Sequence, residues 1–107
     1  MVTGINFNSD EFISLCKKHK VRELYAFGSV VNGNFNENSD VDLLIEIDGP
    51  DPVNRGSLIL SFWDKSESYF NRKVDLLTIK SLRNPYLKES IDQTKVLIYD
   101  GSKEEVL

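Results

Sequence analysis

Glu23-Leu24-Tyr25-Ala26-Phe27-Gly28-Ser29 is followed, ten residues later, by Asp40-Val41-Asp42-Leu43-Leu44-Ile45-Glu46-Ile47, and these two stretches decide how the chain is read. In the second, Val41, Leu43, Ile45 and Ile47 alternate with polar residues. That period of two predicts a strand over 40–47 with the four apolar side chains on one face and Asp40, Asp42 and Glu46 on the other. The first stretch predicts a shorter strand over 23–27, ended by Gly28. Between Gly28 and Ser39 the sequence is rich in glycine, asparagine and serine, a composition of loops and tight turns.

Each part of this pattern suits phosphate and metal chemistry. Glycine adopts backbone angles closed to other residues, so main chain at Gly28 can approach a ligand closely. Ser29 offers a hydroxyl and an N–H, and a helical turn over 29–32 would add further free N–H groups as a phosphate cradle. Asp40 and Asp42, two apart on a strand, point the same way with Cα atoms about 6.5 Å apart. Both carboxylates can then reach Mg²⁺, a hard cation that takes oxygen ligands and keeps room for substrate phosphates. A pair of metals clamping an in-line displacement needs a third carboxylate. Asp75, on a later predicted strand, supplies it. Gly-Ser alone means nothing and Asp-x-Asp alone is weak; their conjunction with Asp75 carries the signal.

Working outward, 8–20 reads as an amphipathic helix with Asn8 or Ser9 as cap, acidic residues at its start and lysines at its end. Residues 48–52 read as a loop. A helix follows over 54–71, with Leu58, Ile59, Phe62, Trp63, Tyr69 and Phe70 as its buried stripe. A strand over 73–79, a helix over 82–93 with Pro85 near its start, and a strand over 95–99 complete the alternation. No repeat or linker divides it, so 1–107 is expected to be a single domain of α/β type.

Composition narrows the function. The formal net charge of −4 over 107 residues argues against a sequence-independent grip on long nucleic acid, but not against a nucleotide whose charge a metal neutralises. No apolar run approaches membrane-spanning length, and the first residues lack a signal-peptide pattern, so a cytoplasmic setting without membrane contact is expected. Cys16, the single cysteine, excludes an internal disulfide and lies on an apolar helix stripe, which reads as core. His19, between Lys18 and Lys20, reads as a solvated helix end. The aromatic residues around Trp63 read as core or partner contact. Glu46 shares the aspartate face but lies too far along the strand for direct metal contact.

Gly28-Ser29, Gly33, Ser39-Asp40-Val41-Asp42-Leu43-Leu44 and Val74-Asp75-Leu76 together resemble the signature of the minimal nucleotidyltransferases, or MNT proteins, a branch of the DNA polymerase β superfamily. The likeness runs loosely from Val21 to Tyr99. It implies an α/β (α+β) nucleotidyltransferase fold, a mixed sheet flanked by helices. It implies transfer of a nucleoside monophosphate, AMP from ATP or another triphosphate, to an acceptor hydroxyl. By the same resemblance Asp40, Asp42 and Asp75 bind two Mg²⁺ ions, with Mn²⁺ as substitute, and Asp75 helps deprotonate the acceptor. Gly28, Ser29, Asn32 and Gly33 would hold the nucleotide. The family also implies a partner, a helical HEPN-type toxin.

Many relatives carry an arginine where this chain has Val30-Val31-Asn32, and Asn32 cannot copy a bidentate guanidinium. Arg55, Arg72 or Lys73 is left to take that role. The rival reading is therefore a binding module, an antitoxin that neutralises its partner by complex formation with weak or no catalysis. A third likeness, to aminoglycoside nucleotidyltransferases, implies a drug-binding domain for which this chain has no length. Acceptor identity and homo-oligomerisation stay open.

Overall fold

The computed structural model describes residues 5–32, 36, 38–49 and 51–101. The first helix, α1 (Asp10–Lys18), starts where Ser9 adopts extended backbone and its hydroxyl accepts the Phe12 N–H at 3.1 Å. Asp10 and Glu11 sit at its positive end, Lys17 and Lys18 at the other. Strand β1 (Val21–Phe27) leads into the single-turn helix α2 (Ser29–Asn32), then β2 (Val41–Ile47). Helix α3 (Pro52–Phe70), β3 (Val74–Thr78), a 3-10 turn (Ile79–Ser81), α4 (Pro85–Thr94) and β4 (Val96–Asp100) complete the order.

The four strands form one sheet in the order β3-β2-β1-β4. β1 runs antiparallel to β2 and β4, whereas β2 and β3 are parallel, which requires the long crossover through α3. The sheet is therefore mixed and flanked by helices, as expected.

Alternation decides what each face buries. Val41, Leu43, Ile45, Leu24, Ala26, Val74 and Leu76 join Phe12 and Cys16 of α1 and Phe62 of α3 in the main core. Phe7, Phe12, Phe62, Tyr69 and Phe70 stack edge-on or tilted within it. Full burial of a ring such as Phe12 or Phe62 stabilises by about 1.5–3 kcal/mol, and the half-buried Tyr69 and Phe70 contribute less. On the opposite face a smaller cluster, Phe27, Leu44 and Ile91, seats α4. The burial of Leu44 departs from simple alternation, because α4 covers that face at its middle.

Two expectations need correction. Pro52 is not in a loop: Asp51 caps α3 by accepting the Val53 N–H at 3.0 Å, and Pro52 takes the first turn, where its missing N–H costs nothing. His19 is not solvated. It is 6% exposed and joins α1 to α3, its Nδ1 2.8 Å from the Leu15 carbonyl and its Nε2 2.9 Å from Ser61 Oγ. Cys16 is core, as expected, and burial pushes its thiol up to about 12, which leaves no nucleophile there at neutral pH. Among the described residues no helix is long and apolar enough to cross a membrane.

Candidate active site

Strand register does what sequence spacing alone could not. β2 pairs with both β1 and β3, and Asp42 is the Cα partner of Phe27 on one side and of Asp75 on the other. Paired residues on neighbouring strands share a face and stand about 4.8 Å apart. Asp42 and Asp75, 33 positions apart in sequence, are therefore neighbours. Asp40 lies just before β2, not within it, and is exposed along with Asp75.

Gly28 closes β1 at φ +72°, in the region that favours glycine. A Cβ built on it would lie 2.4 Å from Asp42 Oδ2. The absent side chain is thus the space in which the Asp42 carboxylate sits. Ser29 opens α2 directly beyond, and a first helical turn leaves N–H groups without a partner inside the helix. Ser29 is half-buried; the backbone of Asn32 ends α2, while Gly33 lies outside the described residues.

The electrostatics follow. Asp42 is half-buried, and its carboxyl is pushed up from 3.8 to about 6, first by desolvation, then by the like charges of Asp75 and Asp40. The three carboxylates therefore feel one another. A divalent cation would relieve that repulsion, and the all-oxygen donor set suits a hard ion in kind. Among the described residues, though, no group of three or more His, Cys, Asp or Glu side chains is already gathered closely enough to hold a metal. Asp42 and Asp75 share a face, and the three carboxylates would have to turn inward around an ion.

Asn36 and Ser39 bind each other just before Asp40. Asn36 N–H donates to Ser39 Oγ at 3.0 Å, and Ser39 N–H returns to the Asn36 carbonyl at 3.0 Å. Of the cations left to replace the missing arginine, Arg55 donates to the Gly49 carbonyl, next to the far end of β2. Arg72 donates to carbonyls in the approach to Asp40, and Lys73 is exposed. Sequence reading missed Leu44 as part of this face; the unbroken run Leu43-Leu44-Ile45 was the available sign that both faces are covered there. A cavity of about 550 Å³ lies between α1 and α3, lined by Glu11, Lys18, His19, Asp64 and Lys65 among others, and none of the three aspartates borders it. Among the described residues, the acidic face joins carboxylates, a glycine approach and the first turn of a helix.

Known proteins share the fold and the family. The family model described as a nucleotidyltransferase domain matches residues 12–98. A Methanocaldococcus jannaschii protein, provisionally named a protein adenylyltransferase, is 36% identical over 81 residues, covering 76% of this chain and 80% of the relative. A solved structure assigned as a minimal nucleotidyltransferase is 30% identical, with a TM-score of 0.58 over 80% of this chain and 85% of its own. The fold also matches, at 19% identity and TM-score 0.52, a chain in the Shewanella oneidensis complex of a tri-AMPylated HEPN toxin with an MNT antitoxin; the match covers 89% of this chain and 71% of that one. With the mixed sheet, the glycine turn and the paired aspartates in place, this chain belongs to the nucleotidyltransferase domain family, resembles its minimal members, and is a nucleotidyltransferase.

Proposed function

We propose that this nucleotidyltransferase moves AMP from ATP to a hydroxyl side chain, tyrosine by preference, of a HEPN-type toxin in the cytoplasm, using Mg²⁺ held by Asp40, Asp42 and Asp75. The observation that carries it is the register that sets Asp42 beside Asp75, with Gly28 leaving room for the carboxylate. The relative named for protein adenylylation and the complex containing an AMPylated toxin support the acceptor class. So does the site's form: it lies on a sheet face, and an acceptor protein would complete it. Net charge of −4 favours a basic, RNA-cutting partner.

In this reading Gly28 lets the backbone approach the triphosphate, and Ser29 contributes its hydroxyl and N–H to a phosphate oxygen. The acceptor oxygen attacks the α-phosphorus, the α–β phosphoanhydride bond breaks, and pyrophosphate leaves. Asp75, exposed at the rim, takes the hydroxyl proton. Bound Mg²⁺ supplies charge neutralisation for the triphosphate and its leaving group. Burial and its acidic neighbours raise the Asp42 carboxyl to about 6, so a bound cation would favour its carboxylate form further.

The test is co-expression with the partner and intact-mass spectrometry. An added AMP on the partner is expected with the native chain and should be absent with Asp42→Asn. A second reading has one observation behind it: α2, Ser29–Asn32, carries no cation to grip the triphosphate. If the Asp42→Asn chain still neutralises an unmodified partner, neutralisation is by binding alone.

A further inference from the structure

The corner where α3 turns into β3 touches the backbone beside each aspartate. Trp63 and Glu67, one helical turn apart on α3, both reach Val74: Trp63 Nε1–H donates to its carbonyl at 2.7 Å, and its N–H donates to Glu67 Oε2 at 3.0 Å. Val74 is fully buried and directly precedes Asp75. Past the left-handed Asn71 that ends α3, Arg72 Nη1 donates to the carbonyls of Asn36, at 3.0 Å, and Ser39, at 2.9 Å. Ser39 directly precedes Asp40. Lys73 then gives its carbonyl to the Val41 N–H, between Asp40 and Asp42, at 3.0 Å.

We infer that Trp63, Glu67 and Arg72 are positioning residues, which set Asp75 and Asp40 against Asp42 so that the three carboxylates can converge on one divalent cation. The inference rests on those aspartates being the metal-holding set. Asp40 lies outside β2 and so lacks the full strand ladder that fixes Asp42; a guanidinium N–H₂ bridging two carbonyls upstream replaces it. Asp75 lies on an edge strand, paired on one side only, and the two α3 side chains hold that strand from the other. Outer partners that orient metal ligands typically affect metal affinity or activity by about 10–100-fold. Arg72 was one candidate for the missing triphosphate-binding arginine. Its carbonyl contacts point to a different job.

The experiment measures Mn²⁺ affinity of the full chain without nucleotide, by water-proton relaxation, beside kcat and KM for ATP. Arg72→Ala and Glu67→Ala should each weaken Mn²⁺ binding about tenfold or more. Both should lower kcat and leave the KM for ATP within about twofold. Glu67→Gln keeps an acceptor oxygen for the Val74 N–H and should recover most of the loss. Arg72→Lys keeps the charge but loses the planar fork and should not. Cys16→Ala, a core change on α1, controls for lost stability and should leave Mn²⁺ affinity unchanged.

Native Mn²⁺ affinity in both alanine variants, equal damage from Glu67→Gln, or a raised KM with unchanged kcat for Arg72→Ala would each overturn the inference. So would a matching loss in Cys16→Ala. A native chain that binds no Mn²⁺ removes its basis. Corner-dependent Mn²⁺ binding with no AMP transfer to any partner would leave the inference standing and defeat the transfer reading instead.

Discussion

On one side of the sheet Val41, Leu43, Ile45, Val74 and Leu76 disappear beneath α1 and α3; one residue along the same strands, Asp42 and Asp75 face outward beside a far smaller apolar cluster. The first face gathers apolar area and aromatic contacts. The second brings like charges together, with Asp42 half-buried and its ionisation disfavoured. The contrast teaches that the packed face carries the fold, which lets the acidic face keep an arrangement that is unfavourable for its charges. Stability and chemistry are thus separated by a single step along each strand.

Breaking the packed face should give the largest effect. Phe62 is fully buried, 6.3 Å from the Phe12 ring and 5.7 Å from His19. Phe62→Ala is expected to destabilise by about 3–5 kcal/mol, much of a small domain's total. Urea denaturation reads this, and a loss below about 1 kcal/mol would show that the core lies elsewhere.

Breaking the acidic face should leave the fold and remove the reaction. Asp42→Asn and Asp75→Asn are each expected to slow AMP transfer ~10²-fold or more, about 2.7 kcal/mol on the barrier, with no fall in melting temperature. Initial rates with the partner protein are the measurement; a mild, equal loss in both variants would misplace the centre of the site.

Gly28→Ala should touch both faces' concerns at once. The backbone at φ +72° costs a side chain about 1–2 kcal/mol, and the new methyl would displace the Asp42 carboxylate. Stability should therefore fall modestly while activity falls to near that of Asp42→Asn. Native turnover in this variant would disconnect Gly28 from the site.

The smallest effect sharpens the comparison most. A carboxyl raised from 3.8 to about 6 holds its proton more tightly folded than unfolded, so its ionisation weakens the fold. The penalty is absent below about pH 4, grows between about pH 4 and 6, and is complete above. In metal-free buffer Asp42→Asn should match the native chain near pH 4. By pH 7 it should be more stable by about 1 kcal/mol, allowing for solvent screening of a half-buried group. That is a few degrees of melting temperature, and Mn²⁺ should narrow the gap. A gap that is flat with pH would mean that Asp42 is not strained.

Much of this was legible in the sequence, for local reasons. The alternation of Val41, Leu43, Ile45 and Ile47, the break at Gly28 and the Asp40-Val41-Asp42 spacing all act over a few residues, and strands, a turn and the shared face followed from them. What escaped depended on contacts between distant elements. His19 has lysine neighbours, yet Ser61 of α3, 42 positions away, meets its ring and buries it. Pro52 looked like a loop residue because Pro and Gly cluster there, but a capping Asp51 makes it a helix start. The adjacency of Asp42 and Asp75 required the parallel register of β2 and β3, and the hold of Trp63 and Glu67 on Val74 required α3 to pack along that edge.

That last contact has a consequence for colloidal behaviour. Sheet edges invite strands from other molecules, and β3 and β4 are the edges here, each only five residues long. In β3, the N–H and carbonyl of Val74 that face away from β2 are already occupied by Glu67 and Trp63. An incoming strand would have to displace two side chains before it gained its first hydrogen bonds, so this edge resists cross-β templating at the end where Asp75 stands.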